Sequence, residues 1–110
     1  MTRLVLCQPP DSGADVIQQG AMPPLALLYL GGAVEAAGHE VEAIDGSFLR
    51  LSAMSEGEAN DHIVARVIQA ADASPQSVVL GLSVLFTNVA NALAIAAQVR
   101  AQRPSVLIIL

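Results

Sequence analysis

Few side chains in this 110-residue sequence could perform acid–base, nucleophilic or metal chemistry. There is one cysteine, Cys7, there are two histidines, His39 and His62, and there is no lysine. One thiol cannot form an internal disulfide, a four-thiolate zinc site or an iron–sulfur cluster. Cys7 lies inside an apolar run, where a cysteine behaves as a small buried hydrophobe. His62 falls on the polar side of a helical pattern, and His39 follows a glycine at the start of an extended segment. Of the aspartates Asp11, Asp15, Asp45, Asp61 and Asp72, only Asp45 ends an apolar extended run. Three short segments concentrate the remaining polar groups: Cys7 to Pro10, Asp45 to Phe48, and Ser83 to Asn88. They offer hydroxyls, amides and one carboxylate, a set that holds a ligand but pairs no nucleophile with a base. The glycine-rich dinucleotide loop and the phosphate-cradling loop of nucleotide hydrolases are both absent.

The elements that must position these segments follow from periodicity. Arg3 to Gln8 is a short apolar run halted by Pro9-Pro10, which predicts a buried first strand. Asp11 to Met22 reads as a long loop, and long loops in compact domains are often functional. Pro23-Pro24 suits a helix start. Leu25 to Ala37 then predicts a helix closed by Gly38, apolar almost all round and so expected to be largely covered. Gly31-Gly32 inside it allows close helix–sheet packing or leaves room for a ligand. His39 to Asp45 alternates polar and apolar residues, as a partly exposed edge strand does. Ser55 and Glu58 form a capping box. The helix behind it carries Ile63, Val64, Val67, Ile68 and Ala71 on one face and ends at Pro75. Ser77 to Ser83 is a continuous apolar run, the pattern of a central parallel strand. Asn88 suits the N-cap of a last helix, Val89 to about Gln102. The amide N–H groups of that helix start could hold a phosphate or an amide oxygen, with Thr87 and Asn88 beside them, or Asn88 could simply cap. Val106 to Leu110 is a fourth strand with no helix after it.

Strands alternating with helices predict an α/β domain with a parallel sheet, right-handed crossovers and helices on both faces. In such sheets ligands sit outside the carboxyl ends of the strands, where the three polar segments fall. Composition agrees. Residues 1–110 have one domain's length, with 54% hydrophobic and 14% charged residues, which excludes intrinsic disorder. A net charge of −5 with five basic residues gives no field for nucleic acid. Mean hydropathy is +0.57. The charge-free stretch from Ala73 to Val99 is nevertheless broken by Pro75, Gly81 and several amides and hydroxyls, so no membrane span is expected. No basic segment followed by an apolar one opens the chain, so no signal peptide is read, and with a single cysteine the expectation is a cytoplasmic protein.

Four segments in order carry a family resemblance: Gln-Pro-Pro at 8–10 after the first strand, Pro-Pro-Leu-Ala-Leu-Leu-Tyr-Leu at 23–30, Ala-Gly-His-Glu-Val-Glu-Ala-Ile-Asp at 37–45, and Gly-Leu-Ser-Val-Leu-Phe-Thr-Asn at 81–88. Together they resemble the N-terminal cobalamin-binding domain of cobalamin-dependent radical SAM enzymes. The resemblance covers nearly the whole chain. It implies a Rossmann-like sheet of order 2-1-3-4-5, of which this chain would carry 2-1-3-4, the fifth strand and last helix missing. It also implies cobalamin at the top of the sheet, its corrin over the loops after strands 1 and 3. The nucleotide tail would run down between the sheet and a flanking helix. Carried over by position, Gln8, Pro9 and Pro10 would lie under or beside the corrin, and Ser83, Leu85, Thr87 and Asn88 would line the tail pocket. The Asp-x-His-x-x-Gly signature whose histidine ligates cobalt in another cobalamin-binding family is missing; Asp11-Ser12-Gly13 stands roughly in its place. S-adenosylmethionine and a 4Fe–4S cluster would belong to the radical SAM domain of a parent protein, the implied partner of this segment, because the cluster's three clustered cysteines are absent here. The segment would then carry the corrinoid of a methyltransferase or related enzyme and perform no catalysis alone.

Two other readings compete. Gly-His-Glu-Val after a Leu-rich helix also begins the N-terminal half of many two-domain glycosyltransferases. A Rossmann-like interaction domain without a ligand is the third. Gly-Leu-Ser followed by Thr-Asn favours the corrinoid reading, since a glycosyltransferase half has no need of it.

Overall fold

The computed structural model describes residues 2–12, 25–73 and 77–110. The expected loop from Asp11 to Met22 lies outside the described residues except for Asp11 and Ser12, as do the Pro23-Pro24 helix start and the Pro75 stop. Four strands form one parallel sheet: β1 (Thr2–Gln8), β2 (Glu40–Asp45), β3 (Ser77–Leu82) and β4 (Leu107–Ile109), in the order β2-β1-β3-β4. The helices are α1 (Leu25–Ala36), α2 (Gly46–Leu51), α3 (Glu56–Ala73) and α4 (Val89–Gln102). This is the predicted Rossmann-like α/β arrangement, with β2 on one edge and β3 inside.

Register fixes which residues share a face. Cys7 lies between Ile44 of β2 and Leu82 of β3, and Val5 lies beside Leu80. That face is covered by α3 and α4: Ile63, Val67, Ile95 and Val99 are fully buried against it. The Ser55–Glu58 capping box forms as expected, Glu58 N–H donating to Ser55 Oγ at 3.1 Å and Ser55 N–H to Glu58 Oε1 at 3.4 Å. The far ends of α3 and α4 are tied by Arg103, whose Nε donates to Asp72 Oδ1 at 2.6 Å and whose Nη2 donates to Oδ2 at 2.7 Å.

The opposite face carries Leu4 and Leu6 of β1, Val79 and Gly81 of β3, and Leu107 and Ile109 of β4. Here α1 packs against β2 and β1. It ends as predicted, with Gly38 in the left-handed region at φ +91°. The expectation that α1 would be largely covered is corrected. Leu27 is its single buried residue, and Leu25, Leu28, Tyr29 and Leu30 are exposed. One side of the helix meets the sheet, and no described element lies over the rest. Its two glycines are not forced by contact. A Cβ on Gly31 would meet Val41 at an ordinary 3.5 Å, and one on Gly32 would meet nothing within 4 Å.

Candidate functional site at the carboxyl ends of the strands

The loop after β1 is fastened to the start of α4 residue by residue. Asn88 Nδ2 donates to Pro9 O at 3.4 Å, and Asn91 Nδ2 donates to Pro10 O at 2.7 Å. Thr87 Oγ1 donates to Asp11 Oδ1 at 2.7 Å, and Ser12 N–H donates to Thr87 O at 2.9 Å. Four consecutive carriers, Pro9 to Ser12, thus have partners between Thr87 and Asn91. Pro9 and Pro10 have no N–H donors, so carbonyl acceptors are what these two residues offer. The Asn88 and Asn91 amides supply the donors to them.

Asn88 is fully buried. The sequence predicts a cap, and Asn88 does occupy the N-cap of α4, but its side chain makes no capping bond. Its Oδ1 instead accepts from Leu85 N–H at 2.8 Å, and its Nδ2 also reaches Ser83 O at 3.1 Å. Asn88 is the brace of the turn after β3. Asn91, absent from the residues the sequence pattern singles out, ties together three elements. It donates to Glu56 Oε1 at 2.7 Å and accepts from Asn60 Nδ2 at 2.8 Å. Arg50 of α2 approaches the other Glu56 oxygen at 3.5 Å. An asparagine on the inner face of an apolar helix is the signal that could have found Asn91, since a buried amide requires partners.

The loop after β2 turns directly into α2, a short helix not foreseen from the sequence. Asp45 is its N-cap, with Oδ1 accepting from Ser47 N–H at 3.0 Å and Phe48 N–H at 3.3 Å. Gly46 is required by space: a Cβ there would stand 2.6 Å from Gln8 O and from Pro10 N. Asp45-Gly46 therefore lets the second loop press against the first.

Among the sequence-predicted site residues, Pro9 and Pro10 are fully buried beneath the loop and Gln8 is half-buried. Leu85 is exposed, whereas Thr87 is half-buried and bonded to Asp11. Ser83 lines a cavity of about 280 Å³ between α1 and the sheet. Its floor is the row Leu6, Gly81 and Ile109 across three neighbouring strands, and Leu27 and Leu30 of α1 form one wall. Gly81 keeps this row low; a Cβ there would come within 3.0 Å of Leu6. Leu85, Thr87 and Asn88 lie outside that lining.

The titratable side chains among the described residues stand apart from this cavity. Cys7 is fully buried in the opposite face, and burial, with a smaller contribution from the Asp45 carboxylate, pushes its thiol up to about 12. That thiol stays protonated, so it is no nucleophile at neutral pH. His39 Nδ1 accepts from Thr2 N–H at 3.2 Å, at the amino end of β1, and His62 is exposed on α3. Among the described residues no three His, Cys, Asp or Glu side chains gather as a metal site. No described helix is long and apolar enough to cross a membrane. Among the described residues the arrangement provides a hydrogen-bonded polar rim, an apolar slot beside it, and no nucleophile paired with a base. Comparison of the chain with family models, with curated proteins and with solved structures gives no match.

Proposed function

We propose that this chain is the corrinoid-binding module of a larger cobalamin-dependent radical SAM enzyme. The observation that carries the reading is the slot of about 280 Å³ that opens beside Ser83 and runs down between α1 and the sheet. A nucleotide tail with a heteroaromatic base needs such a site: apolar walls, a small residue that leaves depth in the floor, and a hydroxyl in the lining. Leu6, Leu27 and Leu30 meet the first need, Gly81 the second and Ser83 the third. The braced loop Gln8 to Ser12 gives the ring a platform that does not have to be ordered on binding, which removes part of the cost of association. Asn88 and Thr87 serve by holding that platform.

Bound cobalamin would supply a carrier for a methyl group. The residues of this chain bind and orient it, and the substrate chemistry belongs to other domains of the parent protein. His39 lies at the amino end of β1, against Thr2, and a strand of this length spans roughly 20 Å, which keeps it away from the rim.

Titration with hydroxocobalamin, followed by its visible absorbance, tests the reading. The chain is expected to bind, and Ser83→Leu is expected to weaken binding at least tenfold, about 1.4 kcal/mol, by filling the slot. Sugar-nucleotide binding without any change in the hydroxocobalamin spectrum would instead favour a glycosyltransferase half.

A further inference from the structure

Two apolar surfaces lie side by side on the α1 face of the sheet. The first is α1 itself, which carries one charged residue, Glu35, among its 12. At about 3.6 residues per turn, Leu25, Tyr29, Gly32 and Ala36 stand on the side of the helix opposite buried Leu27, and all four are exposed. Leu30 stands on the flank toward the slot, which it lines. Glu35 falls on the other flank, beside Leu28. The second surface is the part of the sheet beside α1. There Val79 and Gly81 of β3 are half-buried, and Leu107, Ile109 and Leu110 are 59%, 54% and 65% exposed. The slot joins the two surfaces, because Leu30, Ile109 and Leu110 all line it.

The two surfaces match in shape, charge and extent. α1 rests on β1 and β2, and the strip beside it is β3 and β4. Two strands span roughly 10 Å, the width of one helix with its side chains, about 10 Å. Each copy thus has an apolar ridge one helix wide beside an apolar trough one helix wide. A twofold axis exchanges them, and every contact of ridge with trough is then made twice. A foreign helix laid in the trough would meet Leu30 but leave Leu25 and Tyr29, on the far side of α1, in water. The chain carries a net charge of −5, so two copies repel except through a surface that holds no charge. The outer side of α1 and the whole of β4 hold none. Leu25, Tyr29, Leu30, Leu107, Ile109 and Leu110 are each more than half exposed. With on the order of 150 Å² for a large apolar side chain, they offer roughly 500 Å² per copy, which meets the about 1,000 Å² in total that a specific interface needs.

We infer that two copies of this chain associate about a twofold axis, with α1 of each lying in the trough over β3 and β4 of the other. The inference does not rest on the corrinoid reading. It completes two features left open in the single chain. The apolar circumference of α1 is covered on the side away from its own sheet, and Leu107 and Ile109 gain the cover that parallel strands ordinarily have. The slot, walled on one side by Leu27 and Leu30, has the α1 of the second copy as its other wall. Leu28 and Glu35 stay at the rim, on the flank turned away from the second copy.

Sedimentation equilibrium of the 110-residue chain tests it. A dimer is expected, with no larger species, since the exchange of ridge and trough closes the assembly. Tyr29→Lys on the ridge and Ile109→Lys in the trough are each expected to raise the dimer dissociation constant about a hundredfold. Leu28→Lys, on the Glu35 flank, is expected to change it by less than about threefold. All three side chains are exposed, so the variants should keep the parent circular dichroism spectrum. Disulfide trapping reads the geometry directly, because the native Cys7 is buried. Tyr29→Cys mixed with Ile109→Cys in air is expected to give a covalent dimer of one chain of each, whereas Ile109→Cys alone is not. A parent chain that stays monomeric overturns the inference. So does a dimer that survives Tyr29→Lys and is cross-linked by Ile109→Cys alone, since that pairing sets β4 edge against β4 edge. A monomer that floats with phosphatidylcholine vesicles would assign the surface to lipid and overturn it equally.

Discussion

At the scale of single residues, two positions show how a neighbour's backbone or charge sets what is allowed. Gly46 faces Gln8 O and Pro10 N at 2.6 Å from where a Cβ would be. Backbone atoms there cannot swing aside as a side-chain end can. Gly46→Ala is expected to destabilise the chain by about 2–3 kcal/mol, measured from urea unfolding, as overpacking does elsewhere. A neutral result would mean that the two loops do not press together. Cys7 is set by its surroundings in another way. Its thiol moves from an ordinary 9.0 up to about 12, first through burial and then through the Asp45 carboxylate. A raised pKa means that the native state keeps its proton while the unfolded chain loses it. Stability from this group is complete below pH 9 and falls as pH rises toward 12. Cys7→Ala should therefore show a shallower loss of urea midpoint from about pH 9 to about pH 11. Equal slopes in both proteins would place the thiol in water.

At the scale of elements, Asn91 of α4 makes polar contacts with both α3 and the loop after β1. It donates to Pro10 O and Glu56 and accepts from Asn60. Removing one partner of a buried bond costs more than the bond contributes, because the other partner stays buried without one. Asn91→Ala leaves both Pro10 O and the Asn60 amide in that state, and a loss of about 2–3 kcal/mol is expected. In a double-mutant cycle with Asn60→Ala the two losses should fall short of additive by about 0.5 kcal/mol or more. Strict additivity would show that the two amides act independently. This cluster was not legible in the sequence. Asn60 and Asn91 are 31 positions apart, and nothing in a helical pattern says which two polar residues will meet across an interface. The capping box at Ser55 was legible because all of its atoms lie within four residues.

At the scale of the whole molecule, the two faces of the sheet differ. One is closed by α3 and α4. The other is covered by α1 over β1 and β2, while Leu107 and Ile109 of β4 remain exposed beside Leu110. Parallel sheets are normally buried on both sides, and among the described residues nothing pairs with the outer edge of β4, which carries no charged residue. The 110-residue chain is therefore expected to self-associate as its concentration rises, in sedimentation velocity. Leu107→Lys, which places a charge on that edge, should return it to monomer without loss of helical signal. A parent chain that stays monomeric at high concentration would show that this apolar strip is tolerated in water.

Some features followed from the sequence by itself because they depend on neighbours along the chain. Apolar runs of strand length, the amphipathic stripe from Ile63 to Ala71, Gly38 after a Leu-rich helix and proline stops determined three of the four helices and all four strands. Their alternation determined a parallel sheet, since each crossover must return to the same edge direction. Other features depended on atoms far apart in sequence. The single-sided cover of α1 could not be read from its apolar circumference, which says what could be buried but not what is present to bury it. The fastening of Pro9 to Ser12 by Thr87 to Asn91 exists only once β1 and β3 are neighbours. The same holds for the slot beneath Ser83, whose floor takes one residue from each of three strands. Periodicity is a property of one segment, whereas a cavity and a hydrogen-bonded brace are properties of several segments brought to one place.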